Sequence, residues 1–223
     1  MAPPRSVPEA FLRAHAHPAL PALVPEITLL LASDVVALWE AVVAETAPGG
    51  VQEGADPPTD PPFWAAAWPG GQALARYVLD HPEVVGGRPV LDLGSGSGLV
   101  AVAAALAGAA GVRASEIDPY GRAAIGVNAQ LNSVRGITVV GDLLDDDPPE
   151  DAVILAGDVC YDRLMTERVL PFLDSARGRG CDVLIGDPGR PYLPHSRLVP
   201  LSVVDVPDTE GTQLRSTTVW RMR

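Results

Sequence analysis

The chain has 223 residues, 47% of them hydrophobic, and a formal net charge of −12. That length and apolar share suffice to bury a core and exclude a disordered chain, while the acidic balance argues against a nucleic-acid partner, because phosphate binding needs a basic face. No apolar run approaches the ~20 residues that cross a bilayer, and Met1–Arg5 lacks the apolar stretch of a signal peptide, so a cytoplasmic protein away from the membrane is expected.

In chain order, Pro8 to His17 predicts a short helix, after which Pro18, Pro21 and Pro25 break regular structure before the apolar run Ile27 to Leu31. Ser33 is placed to cap a helix through about Ala44, whose Val35, Val36, Leu38, Trp39, Val42 and Val43 recur at helical spacing and form a packing face. Residues Pro48 to Pro62, rich in proline, glycine and acid, read as a linker or surface loop. Residues 1–62 are therefore expected to form a helical extension and linker, and 63–223 the main domain. Two of the four tryptophans, Trp64 and Trp68, then fall within five residues. They suit either a plug sealing the sheet or an aromatic wall over a ligand. A helix from Gln72 to Leu79 follows.

Strands are predicted at Pro89–Leu93, Val112–Ile117, Ile137–Val140, Ala152–Ala156, Val183–Ile185, Leu201–Val206 and Thr217–Arg221. Helices are predicted at Leu99–Ala107, Tyr120–Leu131 and Leu164–Arg177, the last with a kink at Pro171. Short apolar strands alternating with helices mean an α/β fold with a mostly parallel sheet covered on both faces. No helix separates the last two strands, so the final one should pair antiparallel across a turn at Asp208 to Gly211. Ligands of such open sheets sit beyond the carboxyl ends of the strands.

At that edge the first strand runs into Asp92-Leu93-Gly94-Ser95-Gly96-Ser97-Gly98. Glycines are required where the backbone takes positive φ or approaches a ligand closely. The dinucleotide fingerprint needs a third glycine where Leu99 stands, so that match fails. A pyrophosphate would also be repelled by Asp92, whereas the amino group of S-adenosylmethionine would be attracted. Glu116, ending the second strand, is placed to accept hydrogen bonds from ribose hydroxyls. Asp92, Gly94, Ser95, Gly96, Gly98 and Glu116 thus favour S-adenosylmethionine over a nicotinamide cofactor. Asp118 lies close behind. Asp142, after the third strand, could meet the adenine amine or cap a turn, and Asp145–Asp147 read as a solvated acidic loop.

The fourth strand ends in Gly157-Asp158-Val159-Cys160-Tyr161-Asp162, placing a carboxylate and an aromatic hydroxyl where a transferred methyl would emerge. Methyl transfer is an in-line displacement that depends mainly on alignment. A lysine acceptor must also lose a proton, which costs about 4 kcal/mol at neutral pH. A carboxylate there suits binding and orientation of the ammonium, with the proton leaving to solvent or transiently to Asp158. The alternative for Asp158 is a helix cap before Leu164. After the fifth strand a tight turn presents Asp187 and Arg190, which could pair with each other or shape a substrate groove. Cys160 and Cys181 are too few for a disulfide scaffold and read as small buried thiols. The histidines are scattered, and no metal site is suggested. All 16 basic residues are arginine, so an enzyme acting on lysine could not modify its own side chains.

Four motifs in order, Pro62-Phe63-Trp64 to Trp68-Pro69-Gly70-Gly71-Gln72-Ala73-Leu74, the D-L-G-S-G-S-G loop, D-x-x-Y at Asp158 to Tyr161, and Gly186 to Pro191, resemble the electron-transfer-flavoprotein β-subunit lysine methyltransferase family. The resemblance runs from about Pro25 to Trp220. It implies the Rossmann-like seven-stranded S-adenosylmethionine-dependent fold and methylation of lysine on a folded protein partner. It also implies Asp158 and Tyr161 as catalytic residues at the lysine, with Asp158 also bordering the cofactor, and Trp68 near the cofactor. The ribosomal large-subunit stalk protein is a second implied substrate, and relatives with a nicotinamide N-methyltransferase-like label leave a small-molecule acceptor open. A S-adenosylmethionine-binding regulator without catalysis is the remaining alternative. A monomer is expected, because no repeated apolar surface announces an interface.

Overall fold

The computed structural model describes residues 7–46, 60–207 and 213–223. Helix α1 (Val7–His15) precedes a two-stranded antiparallel pair, β1 (His17–Ala19) and β2 (Leu29–Leu31), and helix α2 (Val35–Thr46). After a short 3-10 turn at Phe63–Ala65 come α3 (Pro69–Asp80), β3 (Pro89–Leu93), α4 (Leu99–Leu106), β4 (Gly111–Ser115), α5 (Pro119–Leu131) and β5 (Ile137–Val140). The chain then forms β6 (Val153–Gly157), α6 (Arg163–Gly178), β7 (Asp182–Asp187), β8 (Leu198–Pro207) and β9 (Leu214–Met222).

The seven-stranded sheet has the order β5-β4-β3-β6-β7-β9-β8. The strands β5, β4, β3, β6 and β7 are parallel, and β9 inserts antiparallel between β7 and β8. Side-chain alternation divides its two faces. Leu91, Leu93, Ile154, Val183 and Ile185 point to one side and pack with Phe172 and Leu173 of α6. Val90, Val153, Leu155 and Leu184 point to the other, against Leu74 and Val78 of α3 and Val100 and Ala104 of α4. Both faces being covered explains why these strands are continuously apolar. The order reverses between β3 and β6, which is where the crevice at the carboxyl ends opens.

The N-terminal segment is stitched to this layer. Phe11, Leu12, Leu30 and Trp64 share a core with Tyr120, Ala124 and Val127 of α5. Buried Asn128 accepts from the Leu30 amide and donates to the Ser97 carbonyl, both at 2.8 Å. Asn132 brackets Thr28 through its amide and carbonyl. In the same way Gln72 accepts from Leu23 N–H and donates to the Ala67 carbonyl.

Several boundaries differ from those read in the sequence. The first helix ends at His15, and His17 opens β1. The helix after residue 33 is capped by Asp34, whose Oδ1 accepts from Val36 and Ala37 at 2.9 and 3.0 Å. A carboxylate one residue later does what the Ser33 hydroxyl was expected to do. Helix α6 continues through Pro171 to Gly178. The last two strands are longer than expected because the hairpin register extends from Leu198↔Met222 to Pro207↔Leu214. The turn expected at Asp208 to Gly211 and most of the linker expected at Pro48 to Pro62 lie outside the described residues.

Candidate functional site

The β3–α4 junction sets the floor of the site. Gly98 takes φ 82° to open α4, and a side chain there would meet Ile125 of α5 at 3.2–3.3 Å. Helix and loop can therefore lie this close only with glycine at the position. Asp92, 1% exposed, braces the loop: its Oδ2 accepts from the Ser95 hydroxyl at 2.5 Å and from the Ala101 amide at 3.0 Å. Burial pushes its carboxyl up to about 7, against the lowering effect of those two bonds. Glu116, just beyond β4, reaches back to the loop. Its Oε2 accepts from Gly96 N–H at 2.7 Å, and its Oε1 from the amides of Ile117 and Asp118 at 2.8 and 2.9 Å. Burial raises its pKa as well. Asp118 caps α5 through Tyr120 N–H at 2.8 Å.

These groups line a cavity of about 520 Å³, within the range of small-molecule sites. Six carboxylates border it, Asp60, Asp92, Glu116, Asp118, Asp142 and Asp158, against two cations, Arg168 and Arg190. Both arginines are already ion-paired. Such a wall suits a ligand that carries positive charge, as the ammonium and sulfonium of S-adenosylmethionine do. The sequence-read residues Trp68, Asp92, Gly94, Ser95, Gly96, Glu116, Asp142, Asp158 and Tyr161 all lie on this cavity. Gly98 stands one step back, at the helix start. Asp142 is held by the turn after β5, accepting from Leu144 N–H at 3.0 Å, and pairs with Arg168 at 3.0 Å. Those contacts hold its carboxyl below the usual range.

Asp158 is held on several sides. It sits in the left-handed region at φ 59°, and its N–H donates to Gly186 O. Its Oδ2 accepts from Gly71 N–H at 2.8 Å at the start of α3, and its Oδ1 pairs with Arg190 at 2.6 Å. It does not cap α6. That role belongs to Asp162, which accepts from Met165 N–H at 2.7 Å, because Asp158 is turned toward α3 and the β7 turn. Backbone contact makes the arrangement possible. A Cβ on Gly70 would fall 2.1 Å from the Gly186 carbonyl oxygen, so the helix start lies directly on β7.

Both tryptophans meet the cavity, at different depths. Trp64, 1% exposed, plugs the core beneath the N-terminal segment and lines the cavity from below. Trp68 borders the cavity, with its Nε1–H donated to Phe63 O at 2.7 Å. The Phe63 ring lies 6.0 Å from the Trp68 ring and 5.4 Å from that of Tyr161, which is 40% exposed. These three rings form one rim of the cavity mouth. Cys160 and Cys181 are free and fully buried, and burial pushes the Cys160 thiol up to about 11.

Asp187 and Arg190 pair with each other at 3.1 Å and, through Asp158, join the site. Asn128 was not singled out in the sequence. A polar residue among Ala124, Ile125 and Val127 on the buried face of α5 was the available signal.

Residues 72–160 match the family model described as Ribosomal protein L11 methyltransferase (PrmA), a span that includes the glycine loop, Glu116, Asp142 and Asp158. The chain is 35% identical over 222 residues to an electron transfer flavoprotein beta subunit lysine methyltransferase of Xenopus laevis, covering 96% of this chain and 86% of that protein. It is 40% identical over 173 residues to the protein of that name in Danio rerio, covering 74% and 67%. Among solved structures, a ribosomal protein L11 methylase from Lactobacillus delbrueckii subsp. bulgaricus superposes with TM-score 0.52 at 24% identity, covering 69% of this chain and 78% of that one. SMU.776, a methyltransferase fold complexed with SAH, superposes with TM-score 0.53 at 12% identity, covering 70% and 49%. On these identities and coverages the chain is a S-adenosylmethionine-dependent methyltransferase and belongs to the electron transfer flavoprotein beta subunit lysine methyltransferase family.

Proposed function

We propose that this protein methylates lysine side chains on the electron transfer flavoprotein β subunit, acting as a monomer in the cytoplasm. The observation that carries the reading is the acid-rich cavity whose mouth holds Asp158 and the Phe63, Trp68 and Tyr161 rings together. S-adenosylmethionine supplies, when bound, a methyl group on a positively charged sulfur. Asp92, Glu116 and the Gly94–Gly98 loop would hold its amino-acid and ribose portions, Asp142 would face the adenine, and Trp68 would cover it.

The acceptor side belongs to Asp158 and the aromatic rim. An ammonium arriving at the mouth is drawn by the carboxylate and shielded from water by rings whose faces attract cations. Asp158 orients the nitrogen. It raises the ammonium pKa by itself, so deprotonation depends on the positive sulfonium nearby and on a path to solvent past half-exposed Tyr161. Once neutral, the lysine nitrogen would be held by Asp158 and the aromatic rim facing the methyl group that S-adenosylmethionine would supply, the proton having left to solvent. The match to the ribosomal L11 family model supports that ribosomal protein as a second acceptor.

The test is incubation of the purified chain with methyl-labelled S-adenosylmethionine and, separately, the flavoprotein β subunit, ribosomal protein L11 and a lysate of its own cells. Methyl-lysine on either protein is expected, and no lysine signal can come from the enzyme, which has none. Label confined to small metabolites such as nicotinamide would overturn the reading.

A further inference from the structure

The ion pair at Asp158 poses a problem for the reading just given, on which this inference rests. A carboxylate meant to receive an ammonium is already 2.6 Å from a guanidinium, in a site where its side chain is 11% exposed. A neutral buried pair offers an incoming cation little, and breaking it outright is costly.

The same Nη1 of Arg190, however, also reaches Asp187 Oδ2 at 3.1 Å. Asp187 is fully buried and does not border the ligand cavity. It is fixed by its own turn, its Oδ1 accepting from Gly189 and Arg190 amides at 2.7 Å each. Asp158 is equally fixed, by its left-handed backbone and its bond to Gly71 N–H. Two immobile carboxylates therefore share one cation. The buried Cys160 thiol, which faces the same pair, stays protonated in this setting, and Arg215 lines the surface hollow on the outer side of Arg190, away from the ligand cavity.

We infer that Asp187 is a positioning residue for the methyl acceptor: by sharing Arg190 with Asp158 it leaves the three side chains with one net negative charge, the counter-charge to a single substrate ammonium. Arg190 stays tethered at Asp187 when the acceptor arrives, and Asp158 Oδ1 turns its attraction to the lysine. Asp187 thus acts from behind the site, through Arg190, and touches neither substrate nor cofactor.

Charge substitutions separate this role from a scaffolding one. Asp187→Asn keeps the Oδ1 acceptor of the turn but makes the cluster neutral. Arg190→Gln makes it doubly negative. The double variant returns it to one negative charge. With the purified flavoprotein β subunit as acceptor, at about pH 8.5, where lysine is still mainly ammonium, D187N is expected to raise KM about tenfold while kcat changes little. R190Q should not raise KM, and the double variant should recover most of the loss. A KM unchanged in D187N, or a double variant worse than either single one, overturns the inference, since a scaffold damaged twice does not recover. If D187N fails to fold by circular dichroism, R190Q and R190K decide alone. Lysine preserves the charge count, so KM should hold in both, and a rise in both overturns the inference. An unaltered chain that methylates neither the β subunit nor ribosomal protein L11 overturns the lysine reading itself, and this inference with it.

Discussion

Asp158 is held by three contacts, of which an asparagine can keep the one to Gly71 N–H and can tolerate the left-handed backbone, while alanine can do neither well. Asp158→Asn should therefore leave the fold and the S-adenosylmethionine affinity within about threefold, yet lower kcat/KM about a hundredfold by removing the charge that receives the ammonium. Methylation kinetics and calorimetric titration check the two halves. Asp92 makes a different prediction, about pH. Its carboxyl is pushed up to about 7 in the fold. Between its ordinary value near 4 and that value, the folded form keeps a proton that the unfolded chain has released, so stability falls as pH rises through this window. The melting temperature of the ligand-free protein should decline from pH 5 to pH 8 more than that of Asp92→Asn. A cationic ligand relieves the same penalty, so S-adenosylmethionine should stabilise the protein more at pH 8 than at pH 6, as thermal shifts in the two buffers would register.

Helix α3 is the element that joins the aromatic segment to the sheet, and its first turn carries the close approach of Gly70 to Gly186. Gly70→Ala puts a methyl group against backbone, which has no rotamer to yield. A loss of about 1–3 kcal/mol is expected, seen as a fall of several degrees in melting temperature, together with lost activity as Asp158 is pulled from Gly71. The elements themselves were legible in the sequence wherever burial on both faces writes a continuous apolar strand, as at Val90–Leu93 or Val153–Ala156. The strand β2 was not, because three consecutive leucines between Thr28 and Ala32 carry no period, and its partner β1 contains a proline. In the site, Asp92 and Glu116 could be read from their spacing to the glycines. The bond from Gly71 N–H to Asp158 and the bridge from Arg190 to Asp158 could not, because they join segments 87 and 32 residues apart, whereas the Asp187–Arg190 pair was one of the two arrangements the sequence left open. No local pattern encodes which of several carboxylates a helix start will face.

At the scale of the whole molecule, a chain of net charge −12 approaches its partner through a long-range field that salt screens. KM for the flavoprotein β subunit should rise several-fold between low and physiological-to-high ionic strength if the docking surface of that protein is basic, with kcat nearly constant. Initial-rate measurements in a sodium chloride series check this. The arrangement of tryptophans adds something practical. Trp220 is packed on the far side of the sheet and Trp64 is buried beneath the cavity wall, whereas the Trp68 indole stands at the cavity mouth, tied to Phe63. The protein therefore carries its own optical reporter: fluorescence of Trp68 can follow occupation of the cavity in real time, and the signal that disappears in Trp68→Phe is the part that came from the mouth.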